Sequence, residues 1–500
     1  MTDSAKQVTA LAAQVADLNH RISTYRGQDQ QPNDLLDQRD ELIAQIGEYI
    51  DITTVAAPDG TMSVFAAGGQ RLVLGAEAAS LTVSPSAADA SRVSLSISSN
   101  GVSIELSDDM LTGGSMSGLL KFQNEDLVSA RNQLGQMAAA FASKVNEAQH
   151  MGVDLNGDTG GDLSDIFKLG PAQALPSANN ARDGSGNLLA QVGITRTDAS
   201  LLQASDYTLR PDPGNPGQYT VTRESDGEVF GPLSPDVDGN LTMVPDQGFS
   251  VQIGNPPPQP GDSFLLQPVG RAASGMSRAL DDPDGLAAAL PVEATLGANN
   301  TGTASVDLLR MTDGSVDPDL SATITFGAGG TYSYELRDSS GTLVGSGGPL
   351  PYEAGDEISL NGFALTLNGV PAEGDTLTID KTDHPATNNG NALSLSRLAD
   401  ERFVGQSIAG DGSRLSGATV TDAYADTMSN IGVRVQSAGV ASNISIAASN
   451  QAGQTLANKT GVNLDEEAAR LIQFQQGYQA AAKVLQVAQS VFDTMLQIGR

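Results

Sequence analysis

The sequence predicts a multidomain α + β fold: a discontinuous helical bundle with a coiled-coil core, from which β-rich outer domains emerge as insertions. Three observations point there. Apolar residues recur at alternating steps of three and four near the start, in the middle and at the end of the chain. Between these stretches lie short runs of in–out alternation, punctuated by Gly, Pro and Asn-Gly turns. Two of the β-rich runs also resemble each other at a constant offset. A chain of 500 residues exceeds what a single core organises, so several domains are expected.

The first helix carries Val8, Leu11, Val15, Leu18, Ile22 and Tyr25 on one stripe. Gly27 and Pro32 interrupt it, and Asn33 or Asp34 is the expected N-cap of a second helix. That helix places Leu35, Arg39, Leu42, Ile46 and Tyr49 on one face, so residues 1–50 read as a helical hairpin. Residues 51–108 form a β-rich insertion with Gly68–Gly69 and Asn100–Gly101 as turns. Residues 109–168 hold a middle helix and its following loop. The helix is expected over about 115–149, with Leu120, Leu127, Leu134, Met137, Phe141 and Val145 along it.

Two β-rich outer modules follow, at 169–280 and 281–395. "TRESDGEVFG" (Thr222–Gly231) aligns with "LRDSSGTLVG" (Leu336–Gly345) at an offset of 114. At the same offset "FSVQI" (Phe249–Ile253) meets "FALTL" (Phe363–Leu367), and one residue of slippage later "GDSFLL" (Gly261–Leu266) meets "GDTLTI" (Gly374–Ile379). Matching order and spacing predict duplicated modules. Asp281 to Asp284 read as the entry to a helix over "GLAAAL". Residues 396–460 return to helix, with Tyr424, Met428, Ile431, Val435 and Ala438 in helical spacing, and residues 461–500 form a C-terminal helix.

Composition removes several functions. Lys+Arg 27 against Asp+Glu 59 gives a net charge of −32, which opposes binding to nucleic acid or to an anionic membrane. There is no Cys, so thiol chemistry and disulfides are out. The three histidines, His20, His150 and His384, stand alone among polar neighbours and read as surface residues. No apolar run reaches the ~18 residues of a membrane helix, and the N-terminus lacks the basic and apolar regions of a cleavable signal.

The best candidate ion site is "DLNGDTGGDLSD", where Asp154, Asn156 and Asp158 alternate as in a calcium loop and Asp162 and Asp165 extend the set. Thr159 stands where such a loop needs Gly and Asp165 where it needs Glu, so a tight surface turn is the simpler expectation. No nucleophile–base arrangement occurs, and the sequence offers no catalytic, cofactor or metal site.

The C-terminal helix stands apart. Asn463 is the expected N-cap, and Asp465, Glu466 and Glu467 fill the first turn, where the helix dipole favours negative charge. Leu464, Leu471, Tyr478, Leu485 and Phe492 recur every seven residues, interleaved with Phe474, Ala481, Ala488 and Met495. Such a stripe calls for a partner, either the other helices of the same chain or another subunit.

"GVNLDEEAARLIQFQQGYQAAAKVLQVAQSVFDTML" resembles the C-terminal signature of bacterial flagellar axial proteins, and its "GVNLDEEAA" opening is similar to the hook-associated members of that family. "PNDLLDQRDELI" (Pro32–Ile43) resembles their inner helix, "VDLNGDTGGDLSDIF" (Val153–Phe167) the loop after their middle helix, and "GDSFLLQPVGRAASGM" (Gly261–Met276) a segment near the end of an outer domain. The resemblance implies a non-enzymatic structural subunit that forms a ring between hook and filament. It also implies secretion by the flagellar type III apparatus without a cleavable signal, to an extracellular place in the flagellum. Implied partners are further copies of itself, the hook protein, the second junction protein on the filament side, and a cytoplasmic export chaperone at the C-terminal helix. Leu464, Leu471, Phe474, Tyr478, Leu485, Phe492 and Met495 become the subunit and chaperone contact. The family carries a further segment ahead of the first helix that does not occur in this sequence, and the resemblance makes that segment the C-terminal helix's partner. A different class remains open: a surface adhesin or carbohydrate-binding protein whose β modules stand on a helical stalk.

Overall fold

The computed structural model describes residues 1–26, 32–241, 244, 246–461 and 464–498. Residues 1–429 form one compact unit and residues 430–500 a second.

Helix α1 (Thr2–Arg26) buries Val8, Leu11, Val15, Leu18 and Ile22, while Tyr25 stays exposed. Gly27 lies outside the described residues. Leu18 and Ile22, near the end of α1, pack on Leu35, Leu36 and Leu42 at the start of α2 (Asn33–Tyr49), which makes the pair antiparallel. The expected cap at Asn33 or Asp34 is not formed: α2 opens at Pro32, whose carbonyl accepts from the Leu35 and Leu36 amides. Proline needs no amide partner at this position, so the helix starts without a side-chain cap. Arg39 is buried on α2, with its guanidinium held by the Gly60 carbonyl at 2.9 Å and by Asp40.

The hairpin packs on two antiparallel sheets. One orders β1 (Ile52–Ala56), β2 (Met62–Ala66), β3 (Gln70–Leu74) and β4 (Glu77–Ala78); the other orders β5 (Ser80–Pro85), β6 (Val93–Ser99) and β7 (Val102–Leu106). Asn100 and Gly101, both at positive φ, make the tight turn between β6 and β7 that Asn-Gly permits. Asn19 is fully buried, yet it bonds to Met62 on both its faces and to the Gly75 carbonyl, so α1 is fixed to this sheet at no desolvation cost.

The middle helical segment runs without a break from Gly114 to His150, close to the expected 115–149, but contains a π turn. α3 (Gly114–Lys121) meets a five-residue π turn, Phe122–Asp126, and then α4 (Leu127–His150). The turn shifts the helical phase. Leu120, Met137 and Val145 are buried as expected and Phe141 is half-buried, whereas Leu127 and Leu134 face solvent. After α4, β8 (Phe167–Lys168) pairs with β17 (Ser277–Arg278) and closes the base of the first outer module.

That module contains β9 (Gln173–Pro176), β10 (Val192–Arg196), β11 (Tyr207–Pro211), β12 (Tyr219–Arg223), β13 (Val229–Leu233), β14 (Asn240–Leu241), β15 (Phe249–Ile253) and β16 (Phe264–Gln267). Its sheets run β13-β12-β11-β16-β9 and β10-β15-β14. The second module contains β18 (Val292–Leu296), β19 (Ser305–Met311), β20 (Ser321–Gly327), β21 (Thr331–Arg337), β22 (Leu343–Pro351), β23 (Ile358–Leu360), β24 (Phe363–Asn368) and β25 (Thr376–Lys381). Its sheets run β22-β21-β20-β25-β18 and β19-β24-β23. Strand for strand in chain order, the two topologies coincide. Each repeat segment named from sequence falls on the equivalent place: the β12–β13 and β21–β22 hairpins, β15 and β24, β16 and β25.

Side chains repeat as well. Asn180 brackets Ser263 through both its amide and its carbonyl at 2.9 and 2.8 Å, and Asn300 brackets Thr376 at 2.8 and 2.9 Å. Beside them the buried Asp262 accepts from the Ala181 and Gln259 amides, and Asp375 from those of Thr301, Gly302 and Ala372. A buried carboxylate satisfied by two or three amides locks the loop over the end of each module.

Both modules are mounted on α4. Asp206 of the first is buried among Arg92 (2.9 Å), Asn132 of α4 (3.1 Å) and Gln267 (3.3 Å). Gly135 lets α4 close on the Val269 carbonyl: a Cβ there would lie 2.1 Å from that oxygen. At the other end of α4, Gln149 donates to the Gly285 carbonyl and accepts from the Ala287 amide, and Asn391 donates to the carbonyls of Ala148 and Ala287. The helix expected over "GLAAAL" is absent. Pro283–Gly285 make a single 3-10 turn, with Asp282 accepting from the Asp284 amide, and Ala289 then pairs with Val153 instead of continuing a helix. The short helix α5 (Gly390–Arg397) follows the second module, and α6 (Val420–Thr460) begins with Val420 and Ala423 packed on the cluster of Met137, Ala140, Val145 and Phe403. The second unit contains most of α6 and all of α7 (Leu464–Ile498).

Candidate assembly surface

The C-terminal helix forms where the sequence places it, over 35 residues, so by its rise per residue it is about 50 Å long. Asp465, Glu466 and Glu467 occupy its first turn, and Arg470 pairs with Glu467 at 3.1 Å and Glu466 at 3.7 Å. The expected N-cap, Asn463, lies outside the described residues.

Leu464, Leu471, Phe474, Tyr478, Leu485, Phe492 and Met495 all project into solvent, with exposures between 61% and 80%. On an ideal helix Leu464, Leu471, Phe474 and Tyr478 fall within about 80° of arc. The structure adds residues that heptad counting passed over. Val484, Val487, Val491, Leu496 and Ile498 are exposed too, and they widen the apolar arc to about 180° beyond Val484. Their signal is present in the sequence as a second 3–4 spacing, Val484–Val487–Val491, offset from the first stripe. A face this wide along half a helix is more than one partner helix covers.

Charge separates along with apolarity. Residues 430–500 contain five basic and four acidic residues, so the rest of the chain holds the entire acidic excess. Copies of this helix can meet without the repulsion that a net charge of −32 imposes on other surfaces.

The other candidates resolve into local structure. Asp154 spends its oxygens on the Asn156 amide and side chain and the Asp158 amide, an Asx turn. Among the described residues no group of three His, Asp or Glu is placed to hold a metal ion. His20 and His384 lie in exposed positions, whereas His150 is half-buried at the end of α4 and bonded on both ring nitrogens. Among the described residues no helix is long and apolar enough to cross a membrane.

Residues 1–164 match the family model of the flagellar hook-associated protein FlgK helical domain. Residues 178–268 match that of the flagellar hook-associated protein 1 D2-like domain, and 454–498 that of the flagellar basal body rod FlgEFG protein C-terminal region. Flagellar hook-associated protein 1 of Salmonella typhimurium is 29% identical over 498 residues, covering 99% of this chain and 70% of the relative. That of Escherichia coli is 34% identical over 308 residues, 61% of this chain and 53% of the relative. The solved flagellar hook junction protein FlgK from Burkholderia pseudomallei superposes with a TM-score of 0.74 at 28% identity, covering 92% of this chain and 84% of that one. The helical domain, the first β module and the C-terminal helix thus match in the family's own order, and the chain belongs to the flagellar hook-associated protein 1 family.

Proposed function

We propose that this protein is a structural subunit of the junction between flagellar hook and filament, and that it assembles through the apolar face of α7. The observation that carries the second part is that face itself: a 35-residue helix whose described large apolar side chains are all exposed. Burying each is worth roughly 1.5–3 kcal/mol, so the helix gains far more from partners than it would from remaining wet. Leu464, Leu471, Phe474, Tyr478, Leu485, Phe492 and Met495 form the first contact stripe. The wider distal half sits between more than one neighbour.

The partners that fit are further copies of the chain, the hook protein below and the second junction protein above. A cytoplasmic chaperone covers the same stripe before export. The protein has no enzymatic role, and its β modules are structural. An adhesin or carbohydrate-binding function draws no support, because Trp is absent and aromatics make up only 4% of the chain, whereas sugar sites rest on clustered exposed rings.

The test adds the purified chain to isolated hooks without filaments. Electron microscopy is expected to reveal a short collar at the distal end and co-sedimentation to recover the chain with hooks. Bare hooks, together with retention on a glycan array, would replace this function with the adhesin.

A further inference from the structure

The root of the second β module contains a group whose two bonds constrain its charge. His150, the last residue of α4, has Nδ1 2.6 Å from the Gly160 carbonyl and Nε2 2.9 Å from an Asp165 carboxylate oxygen. Both neighbours only accept hydrogen bonds. A neutral imidazole has one donor, so it satisfies one of them and turns a lone pair toward the other. Only the imidazolium donates to both. We propose that His150 is held as the imidazolium, and that its protonation state sets how firmly the root of the second module is fixed to α4.

The surroundings favour the charged ring. His150 sits at a helix C-terminus, where the dipole stabilises a cation. The loop that follows it, residues 151–166, contributes Asp154, Asp158, Asp162 and Asp165 and no basic residue. On α4 itself the nearest charges, Lys144 and Glu147, pair with each other at 2.7 Å. Burial works against the charged ring, but the bonds to Gly160 and Asp165 outweigh it and raise its pKa above the ordinary histidine value.

The loop that His150 grips connects directly to the module's entry. The Val153 amide donates to the Ala289 carbonyl at 2.9 Å and the Leu155 amide to the Asp284 carbonyl at 3.0 Å. Gln149, the neighbour of His150, holds Gly285 and Ala287. Loss of the proton therefore loosens the loop that backs these bonds. The sign follows from the raised pKa: the contribution is complete below the ordinary histidine value of ~6.5 and is lost as pH rises through the folded-state value. The first module carries an internal control, since its mount uses Arg92, Asn132, Asp206 and Gln267 and no histidine.

The chain has three histidines, so proton NMR of the full chain resolves their ring signals. His150 is expected to titrate above the ordinary histidine value of ~6.5. Asp165→Asn should move its midpoint down toward that value. Hydrogen exchange at Val153, Leu155 and Ala289 should accelerate across that midpoint beyond the intrinsic rise with pH, judged against Leu209 and Leu266 in the first module. His150→Gln should remove the pH-dependent part while leaving the first module's exchange unchanged. A His150 midpoint at or below ~6.5 overturns the proposal. So does exchange at the second module's root that follows the first module at every pH.

Discussion

Replacing Phe474 by Ala separates assembly from folding more cleanly than any other change in the chain. Phe474 is 77% exposed, so truncation removes little that the folded monomer has buried. Surface substitutions of this kind alter stability by about 0.5 kcal/mol or less. In an assembled junction the same ring is covered. Full burial of a Phe side chain is worth ~1.5–3 kcal/mol, and about three quarters of it remains to be buried, which leaves ~1–2 kcal/mol per contact. At 1.4 kcal/mol per factor of ten, hook binding should weaken by roughly 5–30-fold while the thermal midpoint stays within about a degree or two of the parent. Val229, 59% exposed on β13, is the matched control: Val229→Ala should change neither quantity. Co-sedimentation with hooks over a concentration series measures the first quantity, and calorimetry the second. Unchanged hook binding by Phe474→Ala, or an equal loss in Val229→Ala, would sink the assignment of α7 as the contact.

Other changes test the mounts and the modules. Gly135→Ala gains about 1 kcal/mol of helix propensity but drives a Cβ to 2.1 Å from the Val269 carbonyl, so a net loss of about 1–3 kcal/mol and a shifted first module are expected, read by calorimetry and small-angle scattering. Asp262→Ala removes the buried acceptor of the Ala181 and Gln259 amides and should destabilise the first module by about 1–3 kcal/mol, measured by denaturant unfolding. Acid should loosen both modules: the Asn187 amide holds Asp183, and the Ala372 amide holds Asp375, below the usual carboxylate range. A depressed pKa contributes stability that is present above ~3.9 and lost as pH falls through the folded-state value, so urea midpoints should drop below pH 4.

How much of this was legible in the sequence depended on how local each signal was. The stripe on α1 and the run of α7 could be located because 3–4 spacing is a property of neighbouring residues. Leu127 and Leu134 face solvent although Met137 and Val145 on the same helix are buried, and the π turn at Phe122–Asp126, which no residue type announces, shifts the helical phase just ahead of Leu127. The "GLAAAL" segment misled for a related reason. Its composition favours helix, but pairing of Ala289 with Val153, 136 residues earlier in sequence, overrides a weak propensity.

The duplication carries the lesson furthest. Segments on β12, β15 and β16 matched their counterparts because β-hairpins and strand alternation leave regular traces. The clamp that fixes each module was also written out, as "ANN" at Ala178–Asn180 and again at Ala298–Asn300, yet it escaped notice because its offset is 120, not 114. The structure explains the discrepancy. The segments between clamp and hairpin differ in length, while Asn180 and Asn300 bracket equivalent residues at the start of β16 and β25. Constant spacing is thus the wrong criterion for a repeat whose loops are free to vary. What persists is the pair of buried polar groups that must be satisfied together, because a lone Asp262 or Asp375 would cost more than any loop insertion. On that argument Asn180→Ala and Asn300→Ala should weaken their own modules alike, although residues 171–180 and 291–300 are identical at only five of ten positions. Separate unfolding of the two modules, followed by hydrogen exchange at Ser263 and Thr376, would test it: protection lost in one variant and kept in the other means the clamps are not equivalent.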